Sequence, residues 1–326
     1  MSSFLQTIPG ALILLIVGFV LLIKGADFFV EGASAVAKKF HVPALVIGMT
    51  IVAMGTSLPE LSVSVTASLA GSNQLAIGNV IGSNIFNLMV VLGSCALFSV
   101  LEVNDDTIKR DFPFSIICAI VLMIMGLIGG SVGHLDGAIL LVFFVVFLAI
   151  MLRAALKSRN EAKESKEENE IVDIPTWLCI LYIIGGAIAI KFGGDGVVNG
   201  SKTLALSFGM SETLVGLTIV ALGTSLPELV TSIVAARKNQ LDMAIGNVVG
   251  SNIFNILMIL GVAGAISPMT YLSVNAIDTI ILVAFSAIVW LMCFIKKNLS
   301  RAQGIIMLIL YVAYLAYIII RDGGIA

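Results

Sequence analysis

The run GMTIVAMGTSLPEL at 48–61 returns as GLTIVALGTSLPEL at 216–229, and GNVIGSNIFN at 78–87 returns as GNVVGSNIFN at 246–255. Both repeats have the same offset, 168 residues, and 21 of the 24 paired positions are identical. Each copy sets one carboxylate, Glu60 or Glu228, inside an otherwise apolar segment of helix length. A chain of this kind is built from two related halves. It must also employ two acids that a hydrocarbon environment makes expensive, and intramembrane acids are functional by default. A duplicated apolar segment interrupted by Gly and Pro marks a binding site between membrane repeats.

The membrane setting follows from composition. Of 326 residues, 59% are apolar and 12% charged, against roughly 25% charged in a soluble domain. The net charge of −2 and the lack of a long basic tract argue against nucleic-acid binding. Cys95, Cys118, Cys179 and Cys293 stand singly in apolar stretches and read as small buried hydrophobes. His41 and His134 fall at segment ends and read as loop residues, not ligands.

The hydropathy pattern predicts an all-α polytopic protein with ten spans, near 9–31, 43–70, 75–99, 112–130, 135–156, 175–199, 210–236, 242–267, 274–295 and 302–320. No Lys or Arg precedes the first apolar run, so it reads as a retained span, not a secretory signal. The first five-helix half covers 1–156, and the second covers 175–326. Between them, the highly charged 157–174 reads as a solvated linker, and its acidic residues lack the spacing of an EF-hand loop.

Basic residues set the orientation. With the N-terminus outside, 14 of the 18 Lys and Arg residues fall on the inner side. Only Lys202 and Arg321 fall outside, and Lys24 and Lys191 lie within spans. Both termini are then outside and the linker is cytoplasmic. Glu60 and Glu228 sit five spans apart, an odd number, so the two copies cross the membrane in opposite directions as an inverted-topology repeat.

The motif chemistry points to hard cations. Pro59 has no N–H and clashes with the carbonyl four residues back, so GTSLPE is expected to break its helix. Carbonyls near Ala53, Gly55 and Thr56 are then released in a medium that offers them no partner. Thr56 and Ser57 add hydroxyls, and the GSN segment, expected as a second break, adds Ser83 and Asn84, with Asn87 a turn further on. The second copy contributes Ala221, Thr224, Ser225, Glu228, Ser251 and Asn255. These are oxygen donors without sulfur or imidazole, which suits Ca²⁺ or Na⁺ and not zinc or copper. Two carboxylates neutralise one divalent ion.

Other charges are weaker signals. Lys24 with Asp27, and Lys191 with Asp195, read as pairs along their own helices, or alternatively as gate elements. The adjacent acids Asp105–Asp106 and Glu167–Glu168 fall in predicted cytoplasmic loops and read as solvated. GLIGGSVG at 126–133 reads as a span end, because no Lys-Ser/Thr follows it.

At GTSLPE and GNVxGSNIFN, in two inverted copies, the chain resembles the sodium/calcium exchanger family of the cation/calcium antiporter superfamily, in its form without a large cytosolic domain. The resemblance covers essentially the whole chain. It implies a calcium site at Glu60 and Glu228 with the carbonyls of Thr56 and Thr224. It implies an outer sodium site at Glu60, Ser83, Ala221, Thr224 and Ser225, and an inner one at Ala53, Thr56, Ser57, Glu228 and Ser251, with Asn87 and Asn255 flanking the centre. Some relatives, notably the potassium-dependent branch, carry Asp where this chain has Asn255, which argues against potassium cotransport here.

The leading expectation is an antiporter in the cell membrane that exchanges Na⁺ for Ca²⁺ by alternating access, with no cofactor and no obligate protein partner. Ca²⁺/H⁺ exchange on the same scaffold is the alternative, since the same carboxylates serve both. A membrane-embedded enzyme is disfavoured by the lack of HExxH and GxSxG. A continuous channel fits inverted repeats with broken helices less well than alternating access does.

Overall fold

A computed structural model describes residues 7–70, 73–164, 174–208 and 221–323. Helix α1 is Ile8–Phe40. A bent pair follows, α2 over Ala44–Thr56 and α3 over Leu58–Leu69, with 49° between them. Helix α4 runs Asn73–Phe86, turns once as a π-helix at Asn87–Val91 and ends as Leu92–Phe98. Helix α5 is Thr107–Gly129, α6 His134–Glu164 and α7 Thr176–Ser207. In the second half, α8 is Ala221–Gly223 and α9 Leu226–Arg237. Helix α10 is Leu241–Ile266, again with a π-turn, at Asn255–Ile259. Helices α11, Ser273–Lys296, and α12, Arg301–Gly323, complete the chain.

Among the described residues, eight single helices and the one bent pair are long and apolar enough to cross a membrane. The expected span 210–236 is described only in its second part, as α8 and α9; residues 209–220 lie outside the described residues. Four boundaries move outward by more than a turn. Helix α5 begins at Thr107, five residues before the expected start, and α7 ends at Ser207, eight past the expected end. Helix α1 continues nine residues past the expected end, through Lys38 and Lys39, to close on His41 in the left-handed region at φ 52°. Helix α6 runs to Glu164, into the expected linker. Its last turns are rich in good helix formers, and Lys157 pairs with Glu161 one turn on, at 3.7 Å. Glu167 and Glu168 lie outside the described residues.

The motif helices occupy the centre. The apolar stretches of α4 and α10 are each 78% buried, whereas those of the other single spans are 17–33% buried and face outward with Ile, Leu, Val and Phe. An outward apolar surface is what lipid demands. The halves interlock at every level. Strand β1 (Leu101–Glu102) pairs with β4 (Asn298–Leu299), and β2 (Ser131–Val132) with β3 (Met269–Thr270), so each short ribbon joins one strand from each half. Helices α1 and α7 pack antiparallel. Gly18 meets Val197, Gly25 meets Ile190 and Gly32 meets Cys179 through backbone atoms. A Cβ at Gly193 would stand 2.5 Å from the backbone nitrogen of Leu22. Small residues at seven-residue spacing thus let the two long helices touch along their backbones, as membrane helix pairs require where no hydrophobic drive operates between them. Gly250 plays the same part for α10 against α2, where a Cβ would lie 2.5 Å from the Cα of Met49.

Candidate cation site

Each GTSLPE segment breaks its helix in the same way. Ser57 leaves the helical region at φ −84°, ψ 10°, and Ser225 does so at φ −93°, ψ 6°. Leu58 and Leu226 then begin new helices in which Pro59 and Pro227 occupy the first turn, where a missing N–H costs nothing. Glu60 and Glu228 also stand in those first turns, at the positive ends of α3 and α9. The expected release of the Ala53 carbonyl does not occur here: it accepts the Ser57 N–H at 3.1 Å and the Thr56 hydroxyl at 3.3 Å. The Gly55 carbonyl is the one whose helical donor Pro59 removes.

The second expected break is a π-turn. GSN stays helical in both copies, and the irregularity begins at Asn87 and Asn255. Gly250 is wedged against the backbone of Met49 while Gly82 faces open space, yet both segments stay wound as far as the π-turn. Such turns concentrate at functional sites.

The carboxylates are held across the repeats. Ser57 donates to Glu228 Oε1 at 2.9 Å, and Ser225 donates to Glu60 Oε1 at 3.1 Å. Both acids are fully buried. Around them lies a symmetric amide network. Asn84 Nδ2 donates to the Asn252 carbonyl at 3.1 Å, and Asn252 Nδ2 returns the bond to the Asn84 carbonyl at 3.1 Å. Asn87 then donates to Asn252 Oδ1 at 3.2 Å, and Asn255 to Asn84 Oδ1 at 2.9 Å. In a second layer Asn79 donates to Ser64 at 3.1 Å and Asn247 to Ser232 at 2.9 Å. Asn247 Oδ1 also accepts from Thr56 at 3.2 Å.

This network leaves a specific remainder. Glu60 Oε2, Glu228 Oε2, Ser83 Oγ, Ser251 Oγ, Asn87 Oδ1 and Asn255 Oδ1 are buried with no hydrogen-bond partner. They form three pairs, each related by the 168-residue offset. An orphaned buried polar atom costs about 1–3 kcal/mol, more when charged. Six of them, all able to accept and none nitrogen, match what a hard cation needs. Thr224 and Ser225 sit in the turn between α8 and α9, and Ala221 opens α8. All twelve residues expected at the site therefore belong to the two helix breaks or the facing stretches of α4 and α10. Asn84 is an oxygen donor expected from the GSN segment, whereas Asn252, Asn79, Asn247, Ser64 and Ser232 were not expected. All four Asn lie inside the repeated GNVxGSNIFN run, which was the available signal.

The charged pairs divide. Lys191 and Asp195 do pair along α7, at 3.0 Å. Asp27 is bound not to Lys24 but to Lys238, at 2.9 Å, because the end of α9 brings an ammonium against α1. Asp105 is an exposed ion-pair acceptor between Lys109 (3.0 Å) and Lys297 (2.7 Å), which hold its carboxyl below the usual Asp range. His134 contacts the Ala265 carbonyl at 3.0 Å, and the four cysteines are free and buried.

The sodium/calcium exchanger family model matches residues 10–153 and 178–320, that is, both repeats with their breaks and orphaned oxygens. The chain belongs to the sodium/calcium exchanger family. The sodium/calcium exchanger MaX1 of Methanosarcina acetivorans is 31% identical, with 93% of this chain and 97% of that protein covered. The inner membrane protein YrbG of Escherichia coli is 35% identical, over 85% of this chain and 88% of its own length. A solved structure of the sodium–calcium exchanger NCX_Mj, soaked with Na⁺ and Sr²⁺, superposes with a TM-score of 0.82 at 32% identity, covering 95% of this chain and 99% of that one. The family architecture, a polytopic helical membrane protein without a large cytosolic domain, is thus the architecture of this chain.

Proposed function

We propose that this member of the family is a secondary antiporter that exchanges Na⁺ for Ca²⁺ by alternating access. One observation carries the reading: six buried acceptor oxygens without partners, in three pairs related by the repeat. Ca²⁺ binds at Glu60 and Glu228 with the carbonyls of Thr56 and Thr224. Sodium takes an outer set, Glu60, Ser83, Ala221, Thr224 and Ser225, and an inner set, Ala53, Thr56, Ser57, Glu228 and Ser251, the Ala53 carbonyl becoming available when the Thr56 hydroxyl turns to its other acceptor, Asn247 Oδ1. Asn87 and Asn255 flank the shared centre. Because each glutamate serves both ions, Na⁺ and Ca²⁺ compete for the same charge and cannot both fill the site. The relatives' names support the ion pair, and the family's being one of transporters supports a chemistry of binding and release rather than of bond making.

The proposed sidedness places both termini outside and the end of α6 in the cytoplasm, with the protein in the cell membrane. It rests on the distribution of Lys and Arg. The halves, 1–156 and 175–326, are the two repeats that build the site between them, joined by the linker 157–174. The test is uptake of radiolabelled Ca²⁺ into proteoliposomes under an outward Na⁺ gradient and, separately, an outward H⁺ gradient. Uptake driven by Na⁺ alone is expected. Uptake driven only by H⁺ establishes the Ca²⁺/H⁺ alternative on the same two carboxylates.

A further inference from the structure

A cavity of about 180 Å³ opens beside one helix break, lined by Ser62, Val63, Asp195, Asn199, Thr224 and Pro227 among others. It lies between α7 and the motif helices and reaches Thr224, a residue of the proposed outer sodium set. The repeat maps each of these residues onto a partner 168 positions away: Val230, Thr231, Asp27, Glu31, Thr56 and Pro59. Pro59 itself also lines the open cavity, so the two prolines meet near the centre, and the inverted repeat puts Thr231, Asp27 and Glu31 on the opposite side of the carboxylate pair.

The second set is shut. Thr231 is fully buried, one turn beyond Glu228 on α9, and its hydroxyl has no hydrogen-bond partner. Val30 is fully buried, whereas its counterpart Val198 lines the open cavity. At the rim, Lys238 Nζ clamps Asp27 Oδ1 at 2.9 Å and Glu31 Oε2 at 3.6 Å, and donates to the Asp27 carbonyl at 3.0 Å. Among the described residues the open side has no equivalent clamp. The counterpart of Lys238 is Ala70, and Asp195 is engaged by Lys191 of its own helix.

We propose that the second ion passage runs between α1 and α9 past Thr231, and that Lys238 is its gate, clamped on Asp27 and Glu31 when the passage is shut. The proposal rests on the alternating-access reading and on its sidedness, which makes this the cytoplasmic passage. Closing brings an ammonium to the mouth, cancels the acids and repels cations. Opening moves α1 off the end of α9, frees two carboxylates to draw Na⁺ or Ca²⁺ in, and uncovers the Thr231 hydroxyl as an oxygen ligand on the way to Glu228. The outer path offers Val63 at that point and has its own hydroxyl at Ser62, where the inner path has Val230, so the two paths place their hydroxyls differently. The clamp is half-exposed, and ion pairs of that kind shift an equilibrium by only about two- to five-fold. A gate that must reopen each cycle requires a weak lock of this sort.

The experiment uses the full chain, with its four native cysteines replaced by Ala, in membrane vesicles of known sidedness. Thr231→Cys and, as its counterpart, Val63→Cys are treated with a membrane-impermeant thiol reagent from each side. Thr231→Cys should react only from the cytoplasmic side. Its rate should rise several-fold when Lys238→Met is added and return when Lys238→Arg is used. Asp27→Asn combined with Glu31→Gln should reproduce the effect of Lys238→Met without altering the labelled helix. Val63→Cys should react only from outside, and more slowly when the clamp is lost. Absence of Thr231→Cys labelling from either side in every variant, while Val63→Cys still reacts, overturns the passage. Labelling indifferent to Lys238, Asp27 and Glu31 overturns the gate. Labelling of Thr231→Cys from outside overturns the assigned side. Labelling needs no transport, so a vesicle that shows the expected pattern but no Na⁺-driven Ca²⁺ uptake counts against the exchange reading and not against the gate.

Discussion

The hydroxyl of Ser57 donates to the carboxylate of Glu228 across 2.9 Å, although the two residues lie 171 positions apart and in different repeats. Ser225 and Glu60 repeat the relationship at 3.1 Å. Neither half therefore contains a finished site. Each supplies a charge that the other half orients. Orientation by a hydroxyl engages one oxygen of each carboxylate and leaves the second, Oε2, aimed at no protein donor.

Loss of either charge should accordingly be felt in full. Glu60→Gln and Glu228→Gln each halve the countercharge available to Ca²⁺ in a buried site, and breaking a buried ionic arrangement costs about 3–5 kcal/mol. Ca²⁺ transport by each variant should fall at least a hundredfold in proteoliposomes, while the purified protein remains monodisperse. Uptake within a few-fold of the parent for either variant is incompatible with the proposed ligand set.

The amide network predicts a paired effect on stability. Asn84 and Asn252 exchange side-chain bonds to each other's carbonyls, and each also accepts from the flanking Asn of the other half. Asn84→Ala strands Asn255 Nδ2 and takes one of two donors from the Asn252 carbonyl, which keeps the Asn255 N–H, and Asn252→Ala strands Asn87 Nδ2, at about 1–3 kcal/mol for each buried group left unpaired. Both should lower the melting temperature in detergent, by similar amounts. The double variant should depart from the sum, because the two side chains make different bonds but stand in one hydrogen-bonded network of touching residues. Additive losses in the double variant would show that the four Asn do not act as one unit.

The sequence disclosed the repeat, the inversion, the broken helices at Pro59 and Pro227 and the buried oxygens beside them, because each leaves a local mark: an identical run, an odd span count, a missing N–H, an acid in an apolar segment. It misplaced what depends on neighbours. GSN carries the composition of a break, yet within these buried helices it stays wound, and the irregularity begins at Asn87 and Asn255. Asp27 has Lys24 three residues away on its own helix, yet the nearer cation belongs to the end of α9, which no periodicity reveals. The length of α6 was hidden for the opposite reason. A charged run signals solvent, and 157–164 is both charged and helical.

Sidedness predicts a labelling pattern. Asn160 is exposed near the end of α6, and Ser131 lies in β2 at the other end of that helix. In the cysteine-free background, Asn160→Cys should react with an impermeant thiol reagent only from the cytoplasm, and Ser131→Cys only from outside. The reverse pattern would invert the protein and exchange the proposed outer and inner sodium sets.

Charge in the centre sets the energetics. Glu60 and Glu228 together supply −2 when ionised, and Asn87 and Asn255 add none, so the Ca²⁺-loaded centre is nearly neutral. With three Na⁺, the count the family resemblance implies, it carries about +1. Each cycle then moves one net positive charge inward for each Ca²⁺ expelled. A potential of 100 mV contributes about 2.3 kcal/mol per cycle, or roughly 50-fold in the attainable Ca²⁺ gradient. Asn255 supplies a neutral amide where a potassium-coupled relative would place a carboxylate, so the cycle should need no K⁺. The measurement is Ca²⁺ uptake by Na⁺-loaded vesicles, with voltage set by an H⁺ gradient and a protonophore, with and without K⁺. A potential positive inside should accelerate uptake, because Na⁺ then leaves with its excess charge, and K⁺ should change nothing. Uptake indifferent to voltage would refute the three-to-one count, and an absolute requirement for K⁺ would refute the role given to Asn255.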